Sequence, residues 1–277
     1  MMSSEDLVSN ARWLKHSLNG FRNRLVWKQK GLNFIKVNQL VSLLAPQVES
    51  YNVCHIIGTG FSVWDSIKKV RSCDFCFGFQ YSALIERLKF NLVFFELGGS
   101  KVFQEAEQGL AIADGLPQST IKVFKNAFSH HNDFEFIKKH WSCRALLLAD
   151  QACMNYDRNY TDFLIKRSLD RATEVFIQVQ NTTYIGIILA FQLGFRNIVL
   201  HGVDLGGAYF YSKLPEHLQE YTPILSKNFD GNIKPVNLMN DYVYVLRRLR
   251  AELHIRNVNL LSASPESGSS AILNCYL

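Results

Sequence analysis

From residue 51 onward, short apolar, β-branched and aromatic runs alternate with stretches of helical periodicity, and nothing else in the chain limits its fold as strongly. The runs read as strands at Asn52–Ile57, Asp74–Phe79, Asn91–Glu96, Thr120–Phe124, Arg144–Ala149, Glu174–Gln178, Asn197–His201 and Asn257–Leu261. Helical patterns lie between most of them, at Val63–Val70, Tyr81–Lys89, Lys101–Ala113, Phe134–His140, Asp162–Arg171, Thr182–Leu193 and Leu238–Leu253. Regular strand–helix–strand alternation specifies an α/β, Rossmann-like fold, a mostly parallel sheet with helices on both faces. Runs such as VCHII and NIVLH are apolar almost throughout, as strands covered on both sides are. Ligands of such sheets bind beyond the carboxyl ends of the strands. A site is therefore expected just after Ile57, Phe79, Glu96, Gln178, His201 and Leu261.

Residues 1–50 carry no strand signal and read as a helical N-terminal extension; residues 51–277 form the α/β domain. Leu7, Ala11, Leu14, Leu18, Phe21 and Leu25 recur at helical spacing, beside Lys15, Arg22, Arg24, Lys28 and Lys30. An amphipathic helix of this kind either packs on the domain with its basic face in water, which is the default, or docks on a membrane surface or partner. The opening residues lack the basic start and apolar core of a signal peptide. No apolar run approaches the roughly 18 residues that span a bilayer. The expectation is a soluble, cytoplasmic protein of a reducing compartment.

Hydrophobic residues make up 48% of the 277 and charged residues 19%, which excludes a disordered chain. The formal charge of +6 suits an anionic ligand or surface and is too modest and scattered to argue for nucleic acid. Cys73-Asp-Phe-Cys76 is a lone CxxC with no second pair or histidine at ligand spacing, so no metal site is expected.

Four segments could carry chemistry. After the first strand come Gly58, Thr59, Gly60, Phe61 and Ser62, then a helix. Glycines there let a backbone approach an anion at a helix N-terminus. Val63 stands where GxGxxG needs glycine and no GK[ST] follows, so this is either a generic phosphate loop or an ordinary turn. Next, Asn181, Thr182 and Thr183 open an apolar helix, as caps or as holders of a second anionic group. In the third, HGVDLGGAYFY, Asp204 follows a strand end and Gly202, where it could bond a sugar hydroxyl. Tyr209 and Tyr211 could donate to a departing phosphate. The fourth, Ser264-Pro265-Glu266-Ser267, follows the last strand and has the Ser-then-Pro form of a helix start. The segment from Tyr209 to Pro235 reads as a lid or binding loop. No HExxH or GxSxG is present.

In this order the segments resemble bacterial CMP-sialic acid-dependent sialyltransferases and the related Kdo transferases, which modify lipooligosaccharide or lipopolysaccharide. The resemblance rests on QNTTYIGIILAFQLGFRNIVLHGVDLGGAYFY (180–211), IIGTGFS (56–62), DFCFGFQYSAL (74–84) and ASPESGSSAIL (263–273). It implies a nucleotide-sugar-binding glycosyltransferase domain at 51–277. Such an enzyme moves an acidic keto-sugar from CMP to a glycan or lipid-linked acceptor, with inversion and without Mg²⁺ or another cofactor. The resemblance assigns the 58–62 and 181–183 turns to the phosphate and acidic sugar, with Gln80 and Glu96 nearby. Gly202, Asp204 and Ser264–Ser267 would frame ribose and cytosine, and Tyr209 or Tyr211 would assist departure of CMP. The family's histidine base sits late in the loop before the long final helix. Here that loop has only the early His217, so Glu96, Asp204 and Asp230 stay open as bases. A pterin pyrophosphokinase-like or flagellin-glycosylating enzyme, or a non-catalytic binding subunit, also fits this scaffold. A homo-oligomer and a peripheral contact with the inner membrane stay open, and nucleic acid is not expected.

Overall fold

The computed structural model describes residues 4–29, 31, 34–96, 103–125, 146–148, 151–153, 157–170, 175–177, 182–205 and 236–276. Helices α1 (Ser4–Gln29) and α2 (Val37–Val48) come first. Then follow β1 (Val53–Ile57), the one-turn α3 (Val63–Ser66), β2 (Phe75–Phe79), β3 (Leu92–Glu96), α4 (Phe103–Gly115), β4 (Ile121–Lys125), β5 (Leu146–Leu148) and β6 (Gln151–Cys153). The rest comprises α5 (Arg158–Leu169), β7 (Val175–Ile177), α6 (Thr183–Gln192), β8 (Asn197–His201), α7 (Val236–Ile255), β9 (Asn259–Ser262) and β10 (Asn274–Cys275).

Eight strands form one parallel sheet in the order β10-β9-β8-β1-β2-β3-β4-β5. Strand β1 lies inside it. The chain builds outward through β2 to β5 on one side and through β8 to β10 on the other, so the order reverses between β1 and β8. The expected α/β architecture is thus observed. Alternate residues serve the two faces, as the period of two requires. Cys54, Ile56, Phe75, Phe77, Leu92, Phe94, Ile198 and Leu200 pack with α2, α5, α6 and α7. Ile57, Cys76, Val93, Phe95 and Phe124 pack on the opposite face with Trp27, Val63 and α4. Helix α2 belongs to the first of these cores through Val37, Leu40, Leu44 and Val48.

Several expectations need correction. The strand at Val175–Ile177 pairs with Gln151–Cys153 in a separate two-stranded sheet, outside the main one. Instead of a helix over Tyr81–Lys89 there is only a 3₁₀ turn, Gln80–Leu84. The helix expected at Val63–Val70 is one α turn followed by a 3₁₀ turn at Ile67–Lys69. Phe134–His140 lies outside the described residues. Helix α1 does pack on the domain, but its leucine stripe faces out: Leu7, Leu14, Leu18, Phe21 and Leu25 are exposed. The inward face carries Trp13, Arg24 and Trp27 instead, with Arg167 of α5 3.7 Å above the Trp13 ring. Asp157 caps α5 by accepting the Asn159 and Tyr160 N–H groups, and it also pairs with Arg12 of α1. Arg12, reinforced by those N–H groups, holds the Asp157 carboxyl below the usual carboxylate range. One acidic cap thus opens α5 and docks α1.

Helix α6 fixes the direction of the site. Its Gly186 lies against Phe79 at the end of β2, where an added Cβ would stand 2.8 Å from the ring. Phe195, past its far end, packs 5.3 Å from Phe75 at the start of β2. The helix therefore runs antiparallel to the strands and brings Thr182 and Thr183 to the carboxyl edge of the sheet. Among the described residues no helix is long and apolar enough to cross a membrane.

Candidate functional site at the strand switch point

A parallel sheet opens a crevice where neighbouring connections leave in opposite directions. Here that place is the carboxyl end of β1 and β8, and three of the four segments meet there. The Gly58 N–H donates to the His201 carbonyl at 2.8 Å and the Gly60 N–H to the Gly202 carbonyl at 2.7 Å. Ser62 gives its N–H to Asp204 Oδ2 at 3.0 Å and its hydroxyl to Asp204 Oδ1. The turn after β9 closes over the same strand end. Ser267 Oγ and the Ser269 N–H both donate to the Val203 carbonyl, at 2.9 and 3.1 Å.

The glycines there are demanded by space. A Cβ on Gly58 would stand 2.6 Å from the Gly202 oxygen, on Gly60 2.5 Å from Asp204 Oδ2, and on Gly268 2.1 Å from the Asp204 carbonyl oxygen. Gly202 has φ +59, which only glycine takes without cost. Gln80 at φ +40 and Leu205 at φ +55 hold left-handed backbone without being glycine. Both lie just past strand ends, where such strain gathers around functional sites.

The placement refines the expected roles. Three N–H groups of the 58–62 turn are spent inside the protein, and Asp204 occupies the position of an anion on that turn. Its carboxylate keeps lone pairs beyond the two that Ser62 uses. Ser264 and Ser267 are buried, and their hydroxyls hold the 264–270 turn together. What faces outward is Pro265 and Glu266, with Thr59, Gln80, Thr182 and Asp204 half-buried and Thr183 buried. Asn181, Tyr209, Tyr211, His217 and Asp230 lie outside the described residues; for Glu96 only the backbone, at the end of β3, is described. A groove of about 580 Å³ lies on the flank of the sheet between α7 and β9, lined by Arg250, His254, Leu261 and Ile272 and by no residue of the 58–62, 202–205 or 264–270 turns.

Beneath the crevice runs a buried polar chain. His55 of β1 and His201 of β8 are fully buried. His55 Nδ1 lies 2.8 Å from His201 Nε2, His55 Nε2 3.2 Å from Asp74 Oδ2, and His201 Nδ1 3.0 Å from Ser66 Oγ. Arg71 grips Asp74 through its backbone N–H, Nε and one terminal nitrogen, each at 3.1 Å. Burial would raise the Asp74 carboxyl, but the Arg71 hydrogen bonds and His55 outweigh it and hold it below the usual range. Ionised Asp74 only accepts. The His55 proton therefore sits on Nε2 and His201 Nε2–H donates to His55 Nδ1, which leaves His201 Nδ1 an acceptor for the Ser66 hydroxyl, whose single proton the Ser62 and Val63 carbonyls at 3.1 and 3.2 Å also face. Burial lowers both histidines; for His55 it outweighs Asp74, and for His201 His55 and Lys69 add to it. Both stay neutral at pH 7. The sequence placed these histidines in strands but gave no sign of their pairing, which depends on β1 and β8 being neighbours.

The CxxC is split: Cys73 is exposed, while Cys76 is buried in β2 with its thiol pKa pushed up by burial and then by Asp74.

No family model matches the chain, and no curated protein does either. Among solved structures it is similar to the sialyltransferase CstII from Campylobacter jejuni in complex with a substrate analogue, CMP-3FNeuAc. That match has 15% identity over 80% of this chain and 85% of the other, at a TM-score of 0.45. Two variants of the sialyltransferase Cst-II in complex with CMP are also similar. One is 15% identical over 81% of this chain and 86% of the other, at 0.47. The second is 17% identical over 80% and 85%, at 0.48.

Proposed function

We propose that this protein is a glycosyltransferase that moves an acidic keto-sugar, sialic acid-like or Kdo, from its CMP donor to a surface glycan. The observation that carries the reading is the convergence of the 58–62, 202–205 and 264–270 turns at one strand end, with Thr182 at the same edge of the sheet. These are the segments whose motifs resemble CMP-sugar transferases. In this reading Thr59, Gln80, Thr182 and Thr183 take the phosphate and acidic sugar, and the 264–267 turn with Glu266 frames ribose and cytosine. Asp204 holds Ser62, and with it the opening of α3, and turns a remaining lone pair to the ribose. Tyr209 or Tyr211 assists departure of CMP, and His217 takes the acceptor proton. A monophosphate leaving group needs donors aimed at it rather than a bound metal.

The test is release of CMP from CMP-sialic acid and CMP-Kdo, with an oligosaccharide acceptor and EDTA present. Turnover is expected to persist in EDTA. Asp204→Ala is expected to cost on the order of 10²-fold in kcat, the cost of a misplaced site. His217→Ala should cost about 10²–10⁴-fold, the range of a lost general base. If His217→Ala is silent, the base is Glu96, Asp204 or Asp230. CMP binding without any release would make the protein a non-catalytic subunit. Consumption of ATP with Mg²⁺ would move it to the pyrophosphokinase-like class.

A further inference from the structure

We infer that the outward face of α1 is a docking surface for an anionic lipid membrane. This stands apart from the donor reading and uses none of its residues. Among the described residues, eight large hydrophobic side chains are exposed, and six of them lie on this one helix. They are Leu7, Val8, Leu14, Leu18, Phe21 and Leu25, each 46–59% exposed. Only Leu43 and Ile255 join them elsewhere among the described residues, and contiguous exposed apolar patches mark interaction surfaces.

The geometry follows from the helix itself. With 3.6 residues per turn, Leu7, Leu14, Leu18, Phe21 and Leu25 form one stripe, opposite the inward-facing Trp13 and Trp27. The inward face is anchored by the Arg167–Trp13 contact and the Arg12–Asp157 pair, so the stripe cannot turn inward without breaking both. Lys15 and Arg22 border the stripe on one side and Lys28 on the other, all exposed.

The charges choose the occupant. A helix seam that meets a second copy is usually bordered by charges of opposite sign that pair across it. Here Lys15, Arg22 and Lys28 border the stripe along its length, and the one acid among the described side chains of the helix is Asp6 in its first turn, so an antiparallel pairing would set Lys15 against Arg22 of the other copy. A leucine and phenylalanine face flanked by lysine and arginine is the pattern of helices that lie in a membrane interface. Their apolar side enters the acyl boundary, and their cations stay among anionic headgroups. Facing the membrane this way, the helix keeps its domain on the aqueous side.

The test uses the full chain in sedimentation with vesicles of phosphatidylcholine alone and of phosphatidylcholine mixed with phosphatidylglycerol. The protein is expected to pellet with the mixed vesicles and not with the neutral ones, and to be released by salt. Leu18→Glu/Phe21→Glu should abolish pelleting, and Lys15→Glu/Arg22→Glu should weaken it about tenfold or more. All four positions are exposed, so melting temperatures should match the parent; the charge variant reads out even if the apolar one is unstable. Absence of pelleting with mixed vesicles, or pelleting unchanged in both variants, would overturn the inference. So would a dimer in sedimentation equilibrium that Leu18→Glu/Phe21→Glu dissociates, because the occupant would then be a second copy.

Discussion

Gly60→Ala is expected to weaken CMP binding at least about tenfold and to lower the melting temperature. The added methyl would stand 2.5 Å from Asp204 Oδ2 and 2.6 Å from the Gly202 carbonyl oxygen. The second contact is backbone, and the first is a carboxylate held by two hydrogen bonds from Ser62. Neither can retreat without undoing the junction of the β1 and β8 turns. Overpacking of this kind costs about 1–3 kcal/mol, and in a chain of this size each kcal/mol lowers the melting temperature by about 2–4 °C. Binding should suffer more than stability, because the displaced junction is the site itself; a loss of at least about 1.4 kcal/mol, tenfold in Kd, is expected. Gly115→Ala is the control. It has nothing within 4 Å of an added Cβ and ends α4 away from the crevice, so its effect should stay within about 1 kcal/mol. Thermal melts and CMP titrations of the two variants separate the outcomes. Equal behaviour of Gly60→Ala and Gly115→Ala would contradict the packing described.

The second large effect concerns the chain from Arg71 through Asp74, His55 and His201 to Ser66. Asp74→Ala removes the acceptor of the buried His55 N–H, and an unpaired buried donor costs about 1–3 kcal/mol. The pH dependence carries a definite sign. His55 and His201 are held below the ordinary histidine value in the folded protein. As pH falls through that ordinary value, the unfolded chain takes up protons first, so stability is full above it and declines below it. Each histidine that stays neutral contributes a slope of about 1.4 kcal/mol per pH unit. The depressed Asp74 carboxyl acts further down: its contribution is present above the usual carboxylate range and lost as pH falls through its own lowered value. Melting temperatures from pH 7 to pH 5 should therefore fall, and less steeply for His201→Gln, which cannot titrate. A parent profile that is flat, or parallel to that of His201→Gln, would show that these histidines are not held neutral by the fold.

The strands of the main sheet other than β10 were legible because they are short, mostly apolar runs, and VCHII or NIVLH suits a strand covered on both faces. Helix α6 was legible for the same reason, since YIGIILAFQ is buried on nearly every side. What failed was local. Tyr81–Lys89 has helical composition, yet Gln80 at φ +40 and the Ser82 hydroxyl, which accepts the Phe79 N–H at 2.7 Å, commit the segment to a tight turn. The two residues of β10 are too few to leave a pattern. Helix α1 shows the limit of periodicity. Its leucine spacing identified a helix with an apolar stripe, but the inward side is chosen by Trp13, Trp27 and the Asp157 cap, which spacing does not reveal. At the candidate site, the glycine turns and Asp204 were singled out from the sequence, and the structure brings them together. That Asp204 accepts from Ser62, and so occupies the anion position of the turn, depends on β1 and β8 being adjacent, a fact of topology.

Calorimetric titration of CMP into the metal-free protein tests the central claim most directly, with UMP, AMP and GMP in parallel and Gly60→Ala as the comparison. The account predicts saturable binding of CMP in preference to the other three, unchanged by Mg²⁺, retained by Gly115→Ala and weakened at least about tenfold in Gly60→Ala. Absence of CMP binding in the parent protein, or equal binding by Gly60→Ala, would contradict a nucleotide site at the β1–β8 strand ends.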